Sequence, residues 1–138
     1  MLAIFKRLIE AIVLVQDQTS GVWYQVLDQG NRAGNYLEAS GSCMFLYSIL
    51  KAVCMGYLGK EYDSVAQTGF QGILENFIRV DEQGMVNLDK TCGGCGLGGV
   101  PYRDGSYEYY VTEKIVTNDY KGVGSFVLAS IEIECRTL

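Results

Sequence analysis

Two stretches of the sequence combine aromatic side chains with amide, carboxylate and guanidinium groups. The first, GVWYQVLD, contains the only tryptophan of the chain, Trp23, followed by Gln25. The second, YRDGSYEYY, contains Arg103 and Tyr107. Aromatic faces pack against the apolar side of a sugar ring, and planar polar side chains bind its hydroxyls in pairs. The pattern is therefore typical of a sugar site, although the same aromatics would equally serve as caps on the rim of a helical fold.

Carboxylates close to these stretches are candidates for acid–base catalysis. They are Asp28, Glu38, Asp104, Glu108 and Asp119. A suitably spaced pair of carboxylates can hydrolyse a glycosidic bond. Glu38 and Asp119, however, each stand just before an apolar run, where a carboxylate also stabilises the start of a helix. Their spacing in the sequence leaves both interpretations open.

Composition excludes several classes of function. The chain has 138 residues and no histidine, which rules out Ser-His-Asp and Cys-His catalysis and every metal site that uses histidine. Its net charge of -5 argues against binding to a nucleic-acid duplex. The apolar N-terminal segment is interrupted by Lys6, Arg7 and Glu10 and is too short to cross a bilayer. No contact with nucleic acid or membrane is therefore expected.

The glycine- and cysteine-rich loop CGGCGLGG matches two motifs only in part. Cys92 and Cys95 form a lone C-x-x-C pair, which is half of a zinc site and lacks the βαβ context of a redox motif. The glycine spacing resembles a dinucleotide fingerprint, but Pro101 follows where a helix should begin. The five cysteines suggest no disulfide framework. We interpret them as free thiols in a reducing compartment, which predicts a cytoplasmic location.

Apolar periodicity predicts four main helices, at residues 2–17, 42–58, 61–79 and 119–134. The first and third have one polar face, whereas the second and fourth are apolar nearly all round and are expected to be buried on most sides. Because two hairpins do not close a barrel, these two helices are also expected to keep faces that nothing in the chain obviously covers. A short extended piece, MVNL, and a helical turn at 107–113 complete the prediction. The alternation predicts an all-α fold of about two helical hairpins, outer then inner, joined by long pocket-lining loops.

Four stretches in this order resemble a known family. They are GVWYQVLD, GNYLEASGSCMF, GLGGVPYRDGSYEYY and NDYKGVGSF. They are similar to the C-terminal part of the unsaturated rhamnogalacturonyl hydrolases of glycoside hydrolase family 105, which are related to the unsaturated glucuronyl hydrolases of family 88. The resemblance extends over nearly the whole chain. It implies that residues 1–138 form one domain, the C-terminal fragment of an (α/α)6 barrel.

The resemblance also implies a substrate and a mechanism. Such enzymes remove the unsaturated uronyl sugar from oligosaccharides of pectin or rhamnogalacturonan. The resemblance implies that an aspartate protonates the C4=C5 double bond and guides the water that hydrates it, after which the product collapses and expels the leaving sugar. Neither metal nor cofactor is required. Within this chain the resemblance places Trp23 as a stacking platform and Gln25 against the unsaturated sugar. It places Arg103 and Tyr107 in the loop that faces the pocket.

The same resemblance implies an incomplete site. The motif that carries the family's catalytic aspartate, and its substrate-contacting histidines, have no counterpart in this sequence. No residue of the chain is therefore predicted to be catalytic, and the chain alone is expected to be inactive. The expected partners are an acidic oligosaccharide and either a second copy of the chain or an N-terminal half. A non-catalytic carbohydrate-binding module and a self-assembling helical remnant stay open as alternatives.

Overall fold

The fold is mainly helical. A computed structural model describes residues 1–137 and shows five α-helices there. They are α1 (Leu2–Leu14), α2 (Ala39–Cys54), α3 (Asp63–Phe77), α4 (Tyr107–Thr112) and α5 (Tyr120–Thr137). A 3-10 turn, Lys60–Tyr62, leads into α3. The four helices predicted from periodicity and the predicted turn at 107–113 are all present, with ends shifted by a few residues.

Two small antiparallel sheets accompany the helices. Strand β1 (Ile78–Val80) pairs with β2 (Val86–Leu88), so that Ile78 lies opposite Leu88. Strand β3 (Thr91–Cys92) pairs with β4 (Ile115–Val116). The extended piece predicted at MVNL corresponds to β2. The second sheet falls partly in the predicted loop, because strands of two residues are too short to produce an alternating pattern.

Helix α2 is the centre of the structure. It packs against α1, α3 and α5. Leu46, Ile49 and Leu50 are fully buried, as expected for a helix that is apolar nearly all round. The prediction that this helix is buried on most sides is therefore confirmed.

Helix α5 is buried on one face only. Small residues at Gly122, Ser125 and Ala129 are buried and allow that face to pack closely against its neighbours. The opposite face exposes three apolar side chains: Val127, Leu128 and Ile131. Within the described residues, this open face agrees with the expectation that the apolar helices of the chain keep an uncovered flank. None of the helices at residues 1–137 has the length and apolar character that a membrane span requires.

A close backbone contact fixes α3 against the segment that leads to Trp23. A β-carbon added at Gly72 would collide with the carbonyl oxygen of Ser20 and would lie 3.0 Å from Cγ1 of Val22. We expect Gly72→Ala to lower the free energy of unfolding by about 1–3 kcal/mol, because a backbone oxygen cannot move aside as a side chain can. Urea denaturation followed by circular dichroism measures this loss.

Gly69, one turn earlier in α3, provides the matched control. A β-carbon there would meet its nearest neighbours, Gln16 and Leu46, at 3.5 Å, which is ordinary van der Waals contact. Since alanine favours a helix over glycine by up to about 1 kcal/mol, Gly69→Ala should be neutral or stabilising. Equal destabilisation by both substitutions would contradict the role given to Gly72.

Candidate functional site

An open pocket lies at the N-terminal end of α2. Its volume is ≈ 340 Å³. The walls come from the loop before α2, the first turns of α2, the loop after β3 and the start of α5. The lining side chains that carry polar or aromatic groups include Trp23, Gln25, Glu38, Phe45, Cys92, Cys95 and Lys121. Convergence of an amide, an ammonium and aromatic rings in one cavity is typical of a ligand site.

A second, larger cavity lies elsewhere. Its volume is ≈ 810 Å³, and it is formed by the C-terminal end of α2, the 3-10 turn, α3 and α5. Its walls include Leu50, Val53, Phe70 and Ile133, and none of the predicted site residues line it. The smaller pocket is therefore the candidate site, because it contains the predicted residues Trp23 and Gln25 although the other cavity is larger.

Trp23 forms the inner wall of the pocket and is held in place by hydrogen bonds and by a ring contact. Its backbone N–H donates to Oγ of Ser42 at 3.1 Å, and its indole Nε1 donates to the carbonyl oxygen of Ile12 at 2.8 Å. Its ring meets the ring of Phe45 edge-on, with centroids 5.6 Å apart. Because Trp23 is only 1% exposed, neither face is open to a sugar in this conformation. The observed role is structural: it ties the end of α1 to the start of α2.

Gln25 points into the pocket. Its backbone N–H donates to the carbonyl oxygen of Tyr36 at 2.8 Å, which fixes the position of the residue. Its side-chain Nε2 donates to Sγ of Cys95 at 3.3 Å and to Sγ of Cys92 at 3.4 Å. Thiols are weak acceptors, so these bonds are easily exchanged for bonds to a sugar hydroxyl. Of the four predicted residues, Gln25 has the geometry that best suits contact with a ligand.

Arg103 and Tyr107 lie outside the pocket lining and brace neighbouring loops. Nε of Arg103 donates to the carbonyl oxygen of Gly98 at 2.9 Å, so the guanidinium folds back over its own loop. The hydroxyl of Tyr107 donates to the carbonyl oxygens of Arg32 and Ala33 at 3.0 and 3.2 Å. The guanidinium carbon of Arg32 sits 3.6 Å from the centre of the Tyr107 ring. The structure thus separates the predicted residues into a pair in the pocket and a pair that holds loops together.

Glu38 is committed to four hydrogen bonds. Its Oε1 accepts from the backbone N–H of Ser40 at 3.1 Å, from Oγ of Ser40 at 2.8 Å and from the N–H of Cys92 at 2.8 Å. Its Oε2 accepts from the N–H of Gly41 at 2.6 Å. The side chain therefore caps α2 and anchors β3 to it. A carboxylate so occupied is not available as a general acid, and the capping interpretation of Glu38 is confirmed.

The other candidate carboxylates are also engaged or distant. Asp119 accepts from the N–H of Lys121 at 3.0 Å and from its Nζ at 2.7 Å, so it caps α5. These bonds lower the pKa of Asp119, and the N–H of Ser106 likewise lowers the pKa of Asp104. Such groups stay ionised at neutral pH, whereas a general acid must hold a proton. The two remaining carboxylates are exposed: Asp28 and Glu108.

A cluster that no catalytic or sugar-binding prediction included lies beside Gln25. Sγ of Cys92 and Sγ of Cys95 are 3.2 Å apart, and all five cysteines of the chain are free thiols. Partial burial and the neighbouring Cys92 thiol raise the pKa of Cys95 to about 11. The buried hydroxyl of Tyr36 lacks a hydrogen-bond partner of ordinary geometry. Its burial, and secondly the nearby Cys92 thiol, raise the pKa of Tyr36. In the sequence, the C-x-x-C motif of Cys92 and Cys95 is the feature that could have predicted this cluster.

Lys121 was also missed, since an isolated lysine near a helix start gives no sign of its position in space. Its Nζ lies at the pocket and bonds Asp119. Residues 1–137 contain no group of three or more Cys, Asp or Glu side chains arranged to hold a metal ion.

Solved structures that share this fold include glycoside hydrolases. A family 105 glycoside hydrolase of C. acetobutylicum superposes with a TM-score of 0.92 and is 48% identical, covering 97% of this chain and 38% of that chain. A possible member of family 105 from Salmonella enterica superposes with a TM-score of 0.80 at 27% identity, covering 99% and 32% respectively. Glycoside hydrolase is therefore the class of protein that the fold matches.

The chain belongs to glycosyl hydrolase family 88, whose family model matches residues 1–137. Protein Atu3128 of Agrobacterium fabrum is 42% identical over 133 residues, which cover 92% of this chain and 57% of that relative. The "24.9 kDa protein in picA locus" of Rhizobium radiobacter matches with the same identity and coverage. The chain thus spans little more than half the length of these curated relatives. The resemblance seen in the sequence motifs is confirmed.

Proposed function

We propose that this chain forms part of the substrate pocket of a hydrolase that acts on unsaturated uronyl oligosaccharides derived from pectin or rhamnogalacturonan. In the complete enzyme, hydration of the C4=C5 double bond would begin release of the sugar. In the same proposal the helices are outer and inner members of a partial (α/α)6 barrel. Membership of family 88 supports the reaction class. The observation that carries the substrate class is the meeting of Gln25 and Lys121 in one pocket.

These two side chains suit an acidic sugar. The ammonium of Lys121 donates to Asp119 at 2.7 Å and to the carbonyl oxygen of Gly93 at 3.4 Å, which leaves its third N–H for a uronate carboxylate at the pocket wall. Within the described residues, Oε1 of Gln25 accepts no hydrogen bond from the protein, so it can accept one from a sugar hydroxyl. Trp23 and Phe45 supply the apolar wall behind them. Arg103 and Tyr107 act in this proposal by shaping the adjoining loops, and direct contact between either and substrate stays a prediction.

Calorimetric titration with an unsaturated uronyl disaccharide tests the proposal. We expect binding by the 138-residue chain, weakened about 3- to 10-fold in Gln25→Ala, because one hydrogen bond contributes about 0.5–1.5 kcal/mol. Lys121→Ala should weaken it more, since a bond to a charged group is worth about 1.5–3 kcal/mol. Lys6→Ala removes the same charge from α1, outside the pocket lining, and should leave the affinity unchanged.

The same solutions are then followed at the ultraviolet absorbance of the double bond. Glu38 is the carboxylate among the pocket-lining residues, and its oxygens are already occupied. Since a positioned acid or base contributes about 10²–10⁴-fold to a rate, the chain alone should leave the absorbance constant while a complete family member removes it. Equal affinity for a neutral disaccharide, or turnover proportional to the amount of purified chain, would overturn the proposal.

A further inference from the structure

The thiols of Cys92 and Cys95 are placed to react with each other. Their sulfurs are 3.2 Å apart, and a disulfide needs about 2.05 Å, so a movement of roughly 1 Å closes the bond. Cys92 is buried in β3, and its N–H is anchored to Glu38 at 2.8 Å. Cys95 is exposed in the loop that follows. One sulfur is therefore held in place while the other is accessible to reagents.

We propose that Cys92 and Cys95 form a dithiol site in the pocket wall, which low-molecular-weight disulfides oxidise reversibly, and that its oxidation repositions the side chain of Gln25. The partner is a disulfide of the class of glutathione disulfide. The site differs from a structural disulfide in two respects. The sulfurs begin as free thiols, and the side chain that donates a hydrogen bond to each of them, Gln25, points into the candidate substrate pocket.

The reaction has two exchange steps. The thiolate of Cys95 attacks one sulfur of glutathione disulfide, forms a mixed disulfide and releases one glutathione thiolate. The thiolate of Cys92 then attacks Sγ of Cys95, forms the Cys92–Cys95 bond and releases the second glutathione thiolate. Two protein thiols together lose two electrons and two protons, and glutathione disulfide is reduced to two molecules of glutathione. A dithiol reductant reverses both steps.

Oxidation changes the surroundings of Gln25 directly. In the dithiol form its Nε2 lies 3.3 Å from one sulfur and 3.4 Å from the other. Bond formation draws the two sulfurs together and removes their protons, so the amide cannot keep both contacts with unchanged geometry. The oxidation state of the pair thereby sets the position of a pocket side chain.

Peptide mapping tests the site, because trypsin cuts after Lys90 and Arg103 and releases peptide 91–103, whose only cysteines are this pair. After treatment of the native chain with glutathione disulfide, we expect this peptide to be lighter by two hydrogens and to carry no glutathione. In Cys92→Ser the peptide should retain glutathione on Cys95, since no second thiol can displace it. In Cys95→Ser it should stay unmodified, because Cys92 is buried.

The rate and the amide signal complete the test. Because the pKa of Cys95 is raised to about 11, its thiolate fraction and the rate of closure should rise about tenfold per pH unit between about pH 7 and 9. The side-chain amide resonance of Gln25 should shift on oxidation, whereas that of Gln71, bonded to Glu75 in α3, should not. A stable glutathione adduct on the wild-type peptide, no reaction of the pair, or an unmoved Gln25 signal would overturn the proposal.

Discussion

Glu38→Ala should lower the free energy of unfolding by about 3–5 kcal/mol, a large part of the roughly 5–15 kcal/mol that stabilises a small domain. The substitution removes the acceptor of three backbone donors, the N–H groups of Ser40, Gly41 and Cys92. A buried donor left without a partner costs about 1–3 kcal/mol. The side chain is only 5% exposed, so water cannot replace it without rearrangement. Urea denaturation measures the loss.

Asp119→Ala is the matched control, because Asp119 also caps a helix but its bonds to Lys121 lie at the exposed surface. Loss of such a cap costs about 1 kcal/mol. Glu38→Gln should fall between the two, since an amide keeps one acceptor oxygen and lacks the other. If Glu38→Ala and Asp119→Ala lose the same small amount of stability, Glu38 is not the anchor between α2 and β3 that its hydrogen bonds describe.

Long periodic segments explain why so much of the helical fold was predictable. The apolar spacing over 61–79 specifies one face of α3, and a run as apolar as 42–58 specifies burial of α2. That the apolar helices would keep an open flank followed from the small number of hairpins, but which residues of α5 form that face was not predictable in the same way. Apolar composition indicates what a helix prefers to contact, but the number of neighbours available to cover it depends on the rest of the fold.

The candidate site was only partly predictable for a related reason. A tryptophan in a loop suggested a ligand platform, yet Trp23 is buried, and its indole donates to the carbonyl oxygen of Ile12 at the end of α1. Such a contact depends on tertiary structure and leaves no local pattern in the sequence. The same holds for Tyr107, whose hydroxyl bonds the loop at Arg32. For Glu38 the sequence allowed a catalytic or a capping role, and only its backbone donors identify the cap.

The exposed apolar faces of α1 and α5 lead to the second large expected effect. On α1, Ile4 is 69% exposed and Leu14 is 84% exposed. On α5, Val127 is 48% exposed and Ile131 is 51% exposed. Burial of apolar surface is worth about 25 cal/mol per Å², so a face of about 400 Å² corresponds to on the order of 10 kcal/mol. Monomeric proteins rarely leave such a face open to water.

We therefore expect the purified 138-residue chain to self-associate, with α5 of one copy covering α5 of another about a two-fold axis. The chain covers 38% of the C. acetobutylicum structure, so it supplies only a minority of that molecule's packing surfaces. A second copy offers an apolar face of identical shape and composition. Light scattering at micromolar concentration should report a mass above that of a monomer.

Paired substitutions separate this contact from non-specific aggregation. Val127→Asp together with Ile131→Asp places charge at the centre of the α5 face and should return the chain to monomer, because a buried unpaired carboxylate costs more than the contact gains. Val86→Asp changes a valine on β2 that is 61% exposed and should leave the mass unaltered. The dye 1-anilinonaphthalene-8-sulfonate binds to exposed apolar surface. The doubly substituted monomer should therefore bind less of it than a wild-type monomer, whose α5 face is open. A wild-type chain that is monomeric and binds no dye would show that these faces need no cover, and the assembly would be rejected.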